Sequence, residues 1–157
     1  MNVVFLDYDG VVNTPMWDAE GKRCRFNFPE DNKVNNFQSV QWVSEFCEKL
    51  GYSIVVTSTW RIDPNYEACL KNGGLREGIE IVGKTPSLRS EPRGEEIKAY
   101  LTSHPEIESF LIFDDEDDMG ELRDHLVLCD TNRGFGLPDY YAAVRLHEHF
   151  QNRRSVL

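Results

Sequence analysis

The sequence lacks any apolar run near the ~18 residues that a membrane-spanning helix needs. Its opening segment, Met1-Asn2-Val3-Val4-Phe5, has no basic stretch followed by an apolar one, as a secretory leader would. Cysteine is scarce: Cys24, Cys47, Cys69 and Cys129 show no Cys-x-x-Cys spacing, which argues against a zinc knuckle. Together these absences predict a cytoplasmic protein with reduced thiols and no membrane partner. Basic residues are outnumbered, 17 Lys and Arg against 27 Asp and Glu, for a net charge of −10. That balance disfavours non-specific binding to nucleic acid, which needs a cationic face; only a local basic patch would permit it. His104, His125, His147 and His149 form no ligand pairing with the acidic residues and receive no role. No repeat, linker or low-complexity segment breaks the chain.

What is present suits one domain spanning residues 1–157: 40% hydrophobic and 28% charged residues, long enough to bury a core without staples. Val3–Leu6 is a short, β-branched apolar run and reads as a buried strand. Residues 13–33 are polar and irregular, a flap or loop containing Trp17. Helical spacing runs from Val34 to Leu50, with Gly51 at the C′ position. Ser53–Val56 reads as a second strand. Asp63-Pro64 reads as an N-cap with proline at N1, opening a helix to about Asn72. Ile79–Val82 suggests a short strand. A helix opens around Ser90–Arg93, strands follow at Phe110–Phe113 and Leu126–Leu128, and Pro138 at N1 opens a last helix. Alternating strands and helices, with continuously apolar strands, predict a Rossmann-like three-layer α/β/α domain around a parallel sheet. Ligands in such folds sit beyond the carboxyl ends of the strands.

The segments that follow the strands are therefore the informative ones. Asp7, Asp9 and Gly10 follow the first; Thr57, Ser58, Thr59, Trp60 and Arg61 the second; Asp114–Asp118 the third, with Arg93 at the start of the helix before it. Carboxylates crowded on one rim repel unless a cation neutralises them, and hard oxygen ligands suit Mg²⁺. If Asp7 ends the strand, Tyr8 points away and Asp9 returns to the same side. One carboxylate can then attack phosphorus while the other moves the proton. Gly10 lets the chain turn sharply.

Asp7-Tyr8-Asp9-Gly10-Val11-Val12-Asn13 resembles the first motif of the haloacid dehalogenase (HAD) superfamily of phosphohydrolases. Ile54-Val55-Val56-Thr57-Ser58 resembles its second, Arg93-Gly94-Glu95-Glu96-Ile97 its basic third, and Phe113-Asp114-Asp115-Glu116-Asp117-Asp118 its acidic fourth. Four motifs in order carry more weight than any one, since Asp-x-Asp-Gly alone is also a common turn. Ser58-Thr59-Trp60-Arg61 with Arg93-Gly94-x-Glu96-Ile97 is similar to a small HAD branch, some of whose members occur fused in RNA-repair proteins.

The resemblance implies a Mg²⁺-dependent phosphatase acting through an aspartyl-phosphate. In it Asp7 is nucleophile and metal ligand. Asp9 is general acid/base and a metal ligand through its backbone carbonyl. Ser58 or Thr57 holds phosphoryl oxygens, and Arg93 stabilises the developing charge. Asp115 is the second metal carboxylate, supported by Asp114 and Asp118. Thr59 and Arg61 are further phosphate-binding candidates, and Trp60 reads as packing. The basic motif is more often lysine, so Lys98 and Lys84 stand as alternatives to Arg93. The intervals between motifs leave no room for a large cap. An open site is expected, admitting a nucleotide, a polynucleotide end or another bulky phosphomonoester. The competing reading is an inactive phosphate- or partner-binding module on the same fold. A receiver domain is disfavoured because its phosphoacceptor follows a later strand. Substrate and oligomeric state are not in the sequence.

Overall fold

A computed structural model describes residues 1–16, 19–22 and 32–156. Trp17, Cys24 and much of the expected flap lie outside the described residues. Five strands form one parallel sheet in the order β3-β2-β1-β4-β5: β1 Asn2–Leu6, β2 Tyr52–Val56, β3 Ile81–Lys84, β4 Ser109–Asp114 and β5 Leu126–Leu128. The helices are α1 Phe37–Leu50, α2 Tyr66–Asn72, α3 Arg93–Ser103 and α4 Leu137–Ser155, with 3-10 turns at Thr59–Ile62 and Gly120–His125. Among the described residues no cap domain is inserted between these elements, and no helix is long and apolar enough to cross a membrane.

The sheet is covered on both faces, so both sets of alternating strand side chains are buried. Val4, Leu6, Ile54, Val56, Leu111 and Phe113 share a core with Val40, Val43 and Phe46 of α1, Leu70 of α2 and Ala143 of α4. Val3, Phe5, Val55 and Ile112 point the other way, onto Ile97 and Tyr100 of α3 and onto Met119. Full burial of each such side chain contributes about 1.5–3 kcal/mol. This two-sided burial is why the strands read as unbroken apolar runs.

Local chemistry shifts several expected boundaries. Val34 is buried before the helix; α1 starts at Phe37 because the Asn36 side chain caps it, accepting from the Ser39 amide at 3.0 Å. Gly51 closes it in the left-handed region, at φ 72°. Asp63-Pro64 does not open α2. The Asp63 carboxylate instead accepts from the Asn65 amide at 2.8 Å in a turn, and α2 begins at Tyr66. The short strand expected at Ile79–Val82 lies two residues later, at Ile81–Lys84. Gly136 caps α4, which places Pro138 second rather than first in that helix.

Candidate active site

Register brings the acidic segments level. β1 lies between β2 and β4, with Leu6 opposite both Val56 and Phe113. The next residues along are Thr57, Asp7 and Asp114. The Asp7 amide donates to the Phe113 carbonyl at 3.0 Å, and the Thr57 amide to the Leu6 carbonyl at 2.9 Å. Three parallel strands thus deliver a hydroxyl and two carboxylates side by side at their carboxyl ends, where this topology puts ligands.

Asp7, Asp114 and Asp115 each offer an oxygen within 4.8 Å of the others. Asp7 is 6% exposed and Asp114 1%. Asp7 Oδ1 accepts from the Tyr8 amide at 2.9 Å. Asp114 Oδ1 accepts from the Glu116 amide at 3.0 Å, while its buried Oδ2 has no hydrogen-bond partner. Asp115 Oδ2 accepts from the Thr131 hydroxyl at 2.8 Å. Burial first, and then repulsion from nearby carboxylates (Asp115 and Asp9 on Asp7, Asp7 and Asp115 on Asp114), hold the Asp7 and Asp114 carboxyls above the usual carboxylate range, with Arg93 opposing the rise in both. Buried, crowded carboxylates with an orphaned oxygen are a donor set that fits a hard divalent cation.

Gly10 is required by this packing. Its φ is +82°, and a Cβ there would run into the Asp115 side chain. Gly94 plays a similar part: a Cβ would strike the Met119 backbone, so its absence lets α3 approach the acidic loop. That approach carries Arg93 to the site. Its Nη2 lies 3.9 Å from Asp7 Oδ1 and its Nε 3.8 Å from Asp114 Oδ2. Both are too long for hydrogen bonds, and the buried Nη1 has no partner at all. The Arg93 amide donates to Asp118 Oδ2 at 3.2 Å, so Asp118 anchors the helix start. The alternative cations are engaged elsewhere. Lys98 pairs with Glu95 at 3.1 Å and Glu121 at 2.8 Å, and Lys84 donates to the Arg61 carbonyl at 2.8 Å.

Asp9 stands apart from the three-carboxylate group. Asn13 donates to its Oδ1 at 2.9 Å and the Trp60 indole N–H to its Oδ2 at 3.1 Å. The Trp60 contact, the Asn13 bond and the Thr131 bond were not foreseen. Asn13 sits inside the quoted first motif, so its spacing from Asp9 was a usable signal; the other two join distant segments and left none.

Both second-motif hydroxyls are buried. Ser58 Oγ caps the following turn, accepting from the Trp60 amide at 3.2 Å, and keeps its proton free to donate. Thr57 Oγ1 has no partner. Thr59 is exposed. Arg61 is buried: its Nη1 donates to the Thr57 and Ser58 carbonyls at 2.6 and 2.8 Å, and its Nη2 lies 2.7 Å from Glu96 Oε2. The pair ties the hydroxyl-bearing loop to the helix that carries Arg93.

The chain matches, over residues 3–140, the family described as the HAD domain in Swiss Army Knife RNA repair proteins. No curated protein matches it.

Proposed function

The chain belongs to that family of HAD domains, and from this premise we propose that it is a Mg²⁺-dependent phosphomonoesterase with Asp7 as nucleophile. The observation that carries the reading is the meeting of buried Asp7 with the Arg93 guanidinium and with Asp114 and Asp115 at one strand end. Carboxylates alone would repel a phosphate; a divalent cation held by Asp7, Asp114 and Asp115, together with the Arg93 guanidinium, would offset that charge. Bound there, Mg²⁺ would supply charge neutralisation for the phosphoryl oxygens.

This chain's residues then divide the reaction. An Asp7 carboxylate oxygen attacks phosphorus and the ester bond to the leaving oxygen breaks, giving an aspartyl-phosphate. Asp9 gives its proton to that leaving oxygen and later takes one from the water that cleaves the intermediate. Asn13 and Trp60 fix the Asp9 carboxylate for both transfers. The unpartnered Arg93 Nη1 and a hydroxyl of Thr57 or Ser58 donate to the equatorial oxygens, where negative charge builds. The open site and the family's description favour a nucleotide or a polynucleotide end as substrate. The net charge of −10 argues mildly against the polynucleotide.

The test is hydrolysis of p-nitrophenyl phosphate with Mg²⁺ and with chelator, in wild type and Asp7→Asn. Mg²⁺-dependent turnover that Asp7→Asn abolishes is expected. Equal background rates for both proteins across aryl phosphates, nucleotides and phosphorylated DNA or RNA ends would sink the proposal in favour of a binding module.

A further inference from the structure

We propose that Thr131 is a positioning residue that biases the cation site toward Mg²⁺ over Ca²⁺, by holding the Asp115 carboxylate to a single ligating oxygen. The inference rests on the cation site of the phosphomonoesterase reading and adds what selects the ion.

Thr131 belongs to none of the four motifs and reaches the site through the sheet. The Cys129 amide donates to the Asp114 carbonyl at 2.8 Å, which carries the β4–β5 pairing one residue past Leu128. Two residues on, the Thr131 hydroxyl donates to Asp115 Oδ2 at 2.8 Å. The turn that bears it is closed by its own bonds. The Asp130 carbonyl accepts from the Gly134 amide at 2.8 Å, and Asp130 Oδ1 from the Asn132 amide at 2.9 Å. The Phe135 amide then donates to the Val11 carbonyl at 2.8 Å, tying the turn to the segment that carries Asp7 and Asp9. Thr131 is therefore braced from both ends. On its other side the Asp115 carboxylate packs against Gly10, with Oδ2 nearest. Oδ2 is enclosed between the two, and Oδ1 is the oxygen left for a cation.

The other two carboxylates repeat the pattern. Asp7 Oδ1 accepts from the Tyr8 amide at 2.9 Å, and Asp114 Oδ1 from the Glu116 amide at 3.0 Å. Each of the three thus has one oxygen engaged by a protein donor. Ca²⁺ takes about 6–8 oxygens and is well served by carboxylates that offer both of theirs. Mg²⁺ demands a near-octahedral shell and keeps several waters, so one oxygen from each carboxylate suits it. Two of the donors are backbone amides, which no side-chain substitution removes. Thr131 is the side-chain donor, so the selectivity is adjustable at that position.

The test measures Mg²⁺ and Ca²⁺ binding without substrate, by calorimetry and by the rise in melting temperature with cation concentration. Thr131→Val and Thr131→Ala both remove the hydroxyl; Thr131→Ser keeps it. The first two are expected to bind Mg²⁺ about tenfold more weakly while Ca²⁺ affinity changes less than about threefold. Thr131→Ser is expected to stay within about twofold of wild type for both ions. Equal weakening of both ions, unchanged Mg²⁺ affinity, or a Thr131→Ser protein that behaves like Thr131→Val overturns the assignment, as does a wild type that takes up no Mg²⁺. Under any of those outcomes, Asp7-dependent hydrolysis of p-nitrophenyl phosphate leaves the phosphatase reading standing. The expected ion shifts in a protein that hydrolyses no phosphate ester would keep Thr131 in its role and sink the phosphatase.

Discussion

The Trp60 indole N–H donates to Oδ2 of Asp9 at 3.1 Å, across 51 residues of sequence. With Asn13 on Oδ1, the pair holds both oxygens of the proposed acid/base. Trp60→Phe keeps most of the buried ring and removes the donor. It is expected to lower kcat about 10–100-fold with a smaller change in KM, because a mispositioned proton donor hurts the transition state more than binding. The melting temperature should shift by only a few degrees. A loss of stability that accounts for the whole loss of activity would reduce Trp60 to packing.

Gly10→Ala is expected to act through Asp115. The added methyl meets that side chain, at a φ that alanine tolerates poorly. Displacing Asp115 removes one of three oxygens from the proposed cation site. The expected result is a weaker apparent Mg²⁺ affinity, by about tenfold or more, read from the Mg²⁺ dependence of turnover or from calorimetry. Unchanged Mg²⁺ dependence would separate Asp115 from the cation.

Stability should depend on pH in an unusual direction. Burial raises the folded-state pKa of Asp7 from 3.8 to about 7, and that of Asp114 rises as well. Between the unfolded and folded values the cation-free native state binds more protons than the unfolded chain. The stability contributed by these groups is therefore present below pH 4 and lost as pH rises through about 7. Asp114→Asn removes one of the repelling charges. Without divalent cation it should melt about 2–8 °C above wild type at pH 8, with the gap closing toward pH 5. Adding Mg²⁺ should raise the wild-type melting temperature more at pH 8 than at pH 5. A difference between the two proteins that does not vary with pH would contradict this account.

Asp7, Asp114, Asp115 and Arg93 were legible because each sits beside a strand or helix start that hydrophobic patterning reveals. Parallel topology then does the assembly. The helix starts moved because capping is decided by single side chains: Asn36 caps α1, and Asp63 bends back into a turn. Trp60 reads as packing, and it is buried in the core; Arg61 reads as phosphate contact; each has a further role that the sequence does not show. One is a hydrogen-bond donor to Asp9, and the other is held by loop carbonyls and Glu96. Those roles depend on partners brought near only by folding, so no local pattern encodes them.

The two faces of the sheet are unequally defended. α1, α2 and α4 cover one, whereas the other rests on α3, Met119 and a 3-10 turn. Sub-global opening is expected to follow the thinner cover, with the α3 amides exchanging hydrogen before those of α1. Arg93 would leave with α3, while Asp7 stays anchored in the central strand. A site built this way would lose its cationic partner before its proposed nucleophile.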